Sequence, residues 1–95
     1  MTEQVLLNSG YKKQLVPVWK NCDRFYQKKI DDKKFLNVYY YDTFKENGAL
    51  DYKFEFEYVE DRENYWYSTY IWAINKEIPY TIEEIESILL GENNE

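Results

Sequence analysis

Residues 35–59 read FLNVYYYDTFKENGALDYKFEFEYV, and this stretch decides the fold. Asn47-Gly48 is typical of a two-residue hairpin turn, because both residues tolerate the positive φ that a type I′ turn requires. From residue 52 to residue 58, aromatic and charged side chains alternate strictly, as on a strand with one buried face. The stretch therefore predicts an antiparallel hairpin whose second strand turns its aromatic side chains toward the core.

The turn chemistry also predicts a register. With a tight turn at Asn47-Gly48, Tyr41 lies opposite Phe54 and Tyr40 lies opposite Glu55. The acidic members of the alternation then point away from the core. A slip of one residue would move one strand's side chains to the opposite face, so the register determines which residues are buried.

A third strand is predicted over residues 65–74, after the polar loop 60–64. Trp66, Tyr70 and Trp72 share one face of this strand, while Tyr67 lies on the other. Both faces are apolar enough for a central strand, or for a strand whose second face contacts a partner.

The N-terminal third fits more than one structure. Apolar residues of the segment 18–30 recur at helical spacing, but residues 24–30 also fit a strand that turns at Asp31-Asp32 into the hairpin. The strand is favoured because two aspartates flanked by lysines are a credible turn. The apolar run 5–7 fits either a short strand or one helical turn.

The C-terminal region predicts a helix. Thr81 and Glu84 have the spacing of a capping box, and Gly91 is placed to end the helix. Ile82, Ile85, Ile88 and Leu89 form one apolar stripe between these signals. Residues 92–95 are predicted to be a disordered tail.

These elements predict one compact α+β domain over residues 1–95. Its core would be a small antiparallel sheet of three to five strands in meander order, packed by the C-terminal helix. A chain of 95 residues is long enough for a single hydrophobic core.

The composition argues against most enzyme classes. The chain has no histidine, and its three glycines do not form a phosphate-binding loop. Cys22 is the one cysteine, so a buried structural thiol in a cytoplasmic protein is expected. We expect no enzyme activity, cofactor or metal, and neither a signal peptide nor a long apolar run suggests export or a membrane.

Charge is distributed unevenly along the chain. Residues 1–34 carry eight basic and four acidic groups, a net of +4, whereas residues 35–95 carry four basic and 14 acidic groups, a net of −10. The acids are either a solvated surface or a surface that attracts a basic partner. The predicted partner-binding residues are Glu55, Glu57, Glu60, Asp61 and Glu63, with Tyr40 and Tyr67 as aromatic anchors on the same face.

In size, acidity and aromatic content, the chain resembles the small phage-encoded inhibitors of host nucleases or CRISPR effectors. The resemblance is one of composition and involves no residue motif. It implies a non-enzymatic inhibitor that binds a basic, nucleic-acid-handling protein in the host cytoplasm. Closely spaced carboxylates on a rigid sheet would achieve this by mimicking a nucleic-acid backbone, and direct binding of nucleic acid is not expected.

Two further hypotheses belong to other functional classes. One is a single-stranded nucleic-acid binder that stacks bases on Trp19, Phe25 or Tyr26. Its basic residues would be Lys12, Lys13, Lys20, Arg24, Lys28, Lys29, Lys33 and Lys34. The other is a homo-oligomeric accessory protein, assembled through a strand edge or an aromatic face.

Overall fold

The structure, a computed structural model, describes residues 3–41, 52–63, 65–74 and 81–91. The elements in chain order are α1 (Glu3–Asn8), β1 (Lys12–Gln14), β2 (Arg24–Asp31), β3 (Lys34–Tyr40), β4 (Tyr52–Arg62), β5 (Tyr65–Ile74) and α2 (Ile82–Leu90). The strands form one antiparallel sheet in the order β1-β2-β3-β4-β5. The predicted α+β class, a meander sheet packed by a C-terminal helix, is confirmed.

The favoured strand in the N-terminal third is also confirmed. β2 turns into β3 at Asp32-Lys33, one residue later than predicted. The Asp31 carboxylate accepts a hydrogen bond from the backbone N–H of Lys33 at 2.8 Å. The alternative helix is absent from residues 18–23, where the chain makes a turn after Pro17. The apolar run 5–7 is part of α1 and buries Leu6.

The predicted register of the β3–β4 hairpin is wrong by one residue. Tyr40, not Tyr41, lies opposite Phe54, and Val38 lies opposite Phe56. This register places aliphatic and aromatic side chains of both strands on one face, whereas the predicted one would have buried Asn37 beside those aromatics. The turn at Asn47-Gly48 lies outside the described residues.

The main core lies between the sheet and α2, on what we call the helix face. Its buried residues are Leu6, Tyr11, Tyr26, Leu36, Val38, Phe54, Phe56, Tyr58, Ile82, Ile85 and Leu89. The aromatic members of the alternation in β4 therefore face the core, as predicted. Ile88, the fourth member of the helix stripe, is exposed.

The predicted ends of α2 are confirmed. The backbone N–H of Glu84 donates to the Thr81 hydroxyl at 3.1 Å, and the Glu84 carboxylate accepts from the backbone N–H of Thr81 at 2.8 Å. Gly91 ends the helix with φ 74°, a left-handed conformation that suits glycine. The predicted tail 92–95 lies outside the part of the chain that the structure describes.

Strand β5 has the predicted bounds but a different position. Within the described residues it pairs with β4 alone, so it lies at the edge of the sheet and not at its centre. The prediction of a central strand is therefore wrong, and the alternative, that one face contacts a partner, stays a prediction. No helix in the described ranges has the length and apolar character to cross a bilayer.

Candidate functional site

The sheet face opposite α2, here called the second face, is partly covered by the chain itself. Residues 15–23, called the cover segment, lie across it without helix or strand structure. Val16 and Cys22 from this segment pack against a small second cluster, whose members are Phe25, Tyr39 and Tyr41. The second face is therefore partly an interior surface and not a fully solvated one.

Glu55 lies under the cover segment, where it forms an ion pair with Lys20. Its side chain is 1% exposed, and its Oε1 is 2.7 Å from the Lys20 Nζ. The Tyr41 hydroxyl donates a second hydrogen bond to the same oxygen at 3.1 Å. The Lys20 ammonium also lies 4.4 Å from the centre of the Tyr39 ring, within the range of a cation–π interaction.

Glu57 is also buried, but its partners are neutral hydrogen-bond donors. It is 6% exposed, and its Oε1 accepts hydrogen bonds from the Tyr39 hydroxyl at 2.6 Å and from the Asn37 Nδ2 at 3.2 Å. The Gln27 Nε2 donates to the Asn37 Oδ1 at 3.0 Å and holds this amide in place. Burial, followed by the hydrogen bond to Glu57, raises the pKa of Tyr39 well above its usual value.

Glu55 and Glu57 therefore lie on the face opposite the main core, as predicted, but the prediction that this face exposes them to solvent is wrong. In the observed register, Tyr39 lies on the same face as both glutamates. The cover segment buries Glu55 beside Lys20. Sequence alternation shows that two faces differ, but it does not show whether the polar face meets water or another part of the chain.

The remaining predicted acids, Glu60, Asp61 and Glu63, differ in their exposure and partners. Glu60 is partly buried and accepts from the Tyr58 hydroxyl at 3.0 Å and from Arg62 at 3.3 Å, and the bond from Tyr58 is the main reason that its pKa is lowered. Asp61 and Glu63 are exposed near the β4–β5 turn. Of the five predicted acids, only these two have exposed side chains.

Glu86, one of the C-terminal acids, is paired with the basic N-terminal third. The Glu86 Oε2 lies 3.1 Å from the Lys28 Nζ and accepts from the Tyr11 hydroxyl at 2.8 Å. Some of the opposite charges of the two parts of the chain therefore pair with each other within one molecule.

Both predicted aromatic anchors lie on the helix face, away from Glu55. Tyr40 packs against the main core with its ring centre 5.0 Å from that of Phe54. Tyr67 is partly buried beside the same core, its hydroxyl accepts a hydrogen bond from Thr69 at 2.9 Å, and Arg62 lies 4.0 Å from its ring centre. The prediction that they share a face with Glu55 is wrong.

The groups proposed for nucleic-acid stacking are mostly inaccessible. Phe25 and Tyr26 are buried, so they cannot stack on a base. Lys20 and Lys28 are in ion pairs with carboxylates. Trp19 alone among the three aromatic candidates is exposed. Cys22 is half-buried, and burial raises the pKa of its thiol, which is consistent with a packing role.

A cavity of about 590 Å³ opens on the second face beside the cover segment. It is lined by Trp19, Gln27, Phe35, Asn37, Tyr39, Glu57, Val59, Trp66 and Ser68. Trp19 and Trp66 are 71% and 63% exposed, although both line the cavity. The cavity therefore combines aromatic walls with polar groups from the central strands.

Sequence reasoning missed Trp19, Asn37 and Trp66 as members of one site. Two signals were present: Trp66 and Tyr70 share the apolar second side of β5, and Asn37 interrupts an otherwise apolar strand. The contribution of Trp19 has no sequence signal, because it depends on how the cover segment crosses the sheet.

This arrangement is suited to binding. Aromatic side chains and hydrogen-bonding groups line one concave surface, which is the usual composition of a recognition site. Within the described ranges, no three histidine, cysteine or acidic side chains come together as a metal site. The functional interpretation depends on this geometry, because no protein-family model, curated protein or solved structure matches the chain.

Proposed function

We propose that the protein is a non-enzymatic interaction module, which binds a basic partner protein through the cavity on its second face. The observation that supports this most strongly is the exposure of two tryptophans at one cavity. Tryptophan buries a large apolar area, and it is enriched among residues that dominate binding energy. An exposed pair on a small domain therefore indicates a contact surface.

The charge around the cavity supports a basic partner. Asp61 lies opposite Trp66 in the β4–β5 pairing, and Glu63 follows at the turn. Glu57 adds a buried carboxylate to the cavity wall. With a net charge of −6, the whole molecule would also accelerate the encounter with a basic surface.

The proposed partner is a nucleic-acid-handling protein, such as a nuclease or a CRISPR effector, and the proposed setting is inhibition by a phage protein in the host cytoplasm. Size, acidity and aromatic content support this part of the proposal. Mimicry of a nucleic-acid backbone by Glu55 and Glu57 is not retained, because both carboxylates are buried.

The test is capture of the partner from a host-cell extract by the immobilised protein, followed by mass spectrometry. Trp66→Ala should abolish capture, since it removes an exposed aromatic wall of the cavity without touching the main core. Tyr65→Ala is the matched control: its ring is also exposed, but it is absent from the cavity. Equal capture by wild type and Trp66→Ala would refute the proposed surface.

Two readouts separate this function from its alternatives. Nucleic acid added to the captured complex should release the protein if the two compete for one surface of the partner. A single-stranded oligonucleotide should not bind the isolated protein near physiological salt. Micromolar binding that quenches tryptophan fluorescence would instead support the nucleic-acid-binding hypothesis.

Self-assembly is a second candidate, favoured by the position of β5. An edge strand with exposed aromatic side chains can pair with another copy, and β5 carries Trp66 and Tyr70 at such an edge. Light scattering on a size-exclusion column gives the mass directly. A dimer that Trp66→Ala converts to a monomer would support self-assembly through this face, and a monomeric wild type would exclude it.

A further inference from the structure

The protein's own Lys20 shows which kind of group fits the second face. Its ammonium binds the buried Glu55 at 2.7 Å and lies 4.4 Å from the Tyr39 ring centre and 5.9 Å from the Tyr70 ring centre. A cation is thus held between a buried carboxylate and aromatic rings, where its electrostatic interactions are stronger than in water.

Glu57 has similar surroundings. It is two residues further along the same strand, which places it on the same face and about 6.6 Å away along the strand direction. Its carboxylate also contacts Tyr39, and it lines the cavity together with Trp19 and Trp66. Its bonds within the described residues come from neutral donors, and no ion pair in those ranges includes it.

We propose that this cavity binds an arginine side chain of the partner protein, with Glu57 as its counter-ion and Trp19 and Trp66 as its aromatic walls. The inference rests on the proposed function and specifies what the cavity recognises. The partner's arginine would occupy a position beside Glu57 comparable with that of Lys20 beside Glu55.

Guanidinium fits this cavity better than ammonium does. It is flat, so it stacks on indole rings, and its five N–H donors point in a fixed plane. Besides the Glu57 carboxylate, the cavity offers the Gln27 side-chain carbonyl and the Ser68 hydroxyl as acceptors.

The direct test uses three short peptides that differ at one residue: arginine, its neutral isostere citrulline, or lysine. Binding is followed by tryptophan fluorescence and by NMR shifts of the indole N–H groups, because Trp19 and Trp66 line the cavity. The arginine peptide should saturate with a Kd of roughly 1 mM, as one charge-assisted contact with ring stacking allows. Citrulline should bind at least about tenfold more weakly, since it lacks the charge.

Two variants locate the site. Glu57→Gln keeps the shape and an acceptor for Tyr39 but removes the charge, so it should weaken arginine binding about tenfold. Glu83→Gln makes the same change at an exposed helix position and should leave binding as in the wild type. Ser68→Arg, which places a tethered guanidinium at the cavity wall without altering the buried network, should block the arginine peptide.

The outcomes separate this inference from the proposed function. If Trp66→Ala abolishes partner capture while Glu57→Gln leaves partner affinity unchanged, the surface is correct and arginine recognition is refuted. If neither variant affects capture, the proposed surface itself is refuted. Equal binding of the arginine and citrulline peptides, or of the arginine and lysine peptides, would also overturn the assignment to arginine.

Discussion

Replacing Lys20 with methionine tests the buried ion pair on the second face. Methionine keeps an unbranched stem that packs on Tyr39, but it leaves Glu55 with the Tyr41 hydroxyl as its remaining partner among those described. The two residues differ in access to water, because the Lys20 side chain is 19% exposed and that of Glu55 is 1% exposed. An unpaired Lys20 can reach solvent, and an unpaired Glu55 cannot.

This difference in exposure determines how much each substitution should lower the free energy of unfolding. Removing one partner of a buried pair costs about 3–5 kcal/mol when the other charge stays buried. Lys20→Met should therefore lower the free energy of unfolding by about 3 kcal/mol, at the lower limit because the pair is partly open to water. Glu55→Gln should cost only about 1 kcal/mol, since it keeps an acceptor for Tyr41 and releases the lysine toward solvent.

Urea unfolding followed by circular dichroism measures all four members of the double-mutant cycle. In the Glu55→Gln background, Lys20→Met should cost under about 1 kcal/mol, which gives a coupling energy of about 2 kcal/mol. Lys29→Met is the matched control, because its side chain is 61% exposed and pairs with an exposed Asp32. A loss for Lys20→Met no larger than the control's would refute the argument that this pair supports the second face.

Three further changes test other parts of the fold. Phe56→Ala should cost about 3–5 kcal/mol in urea unfolding, because it removes a fully buried ring from the main core, and a loss under about 1 kcal/mol would mean that the helix face is not the core. Thr81→Ala should cost about 0.5–2 kcal/mol by removing the cap of α2, so an unchanged midpoint would contradict the capping box. Burial, with the hydrogen bond to Glu60, raises the pKa of Tyr58 to about 12. Since the native state holds this proton more tightly than an unfolded tyrosine with a pKa of about 10, stability should be full below pH 10 and fall between about pH 10 and 12. In unfolding curves measured over a series of pH values, Tyr58→Phe should lose less stability over this pH range than the wild type does. An equal loss would contradict the raised pKa of Tyr58.

The sequence predicted the elements better than their pairing. Strict alternation in β4 identified its core side, and the capping signals located both ends of α2. The register was wrong because three consecutive tyrosines, 39–41, lie at the end of β3 and just after it, and tyrosines fit either face equally well. Leu36 and Val38 were the better guide, since the predicted register placed these aliphatic side chains on the same side as the glutamates.

The candidate site could be predicted only in part. Contact with a partner through one face of β5 was predicted only as an alternative to a central strand, and most of the predicted partner-binding residues were acids. Glu55 and Glu57 were predicted to be exposed, but both are buried. The helical spacing of apolar residues in the cover segment was misleading, because this segment forms no helix. Nothing in the sequence indicated its path across the sheet, which brings Trp19 to the cavity and Lys20 to Glu55.

The order of the strands has a consequence for how the chain folds. Each strand pairs with the next one in sequence, so the sheet grows by closing loops between sequence neighbours. Short loops lose little entropy on closure, and chains dominated by such contacts fold quickly. The Tyr11–Glu86 hydrogen bond, by contrast, joins residues 75 positions apart. We expect the β2–β3 hairpin to form early and this contact between the two ends of the chain to form last, so its loss should speed unfolding far more than it slows folding.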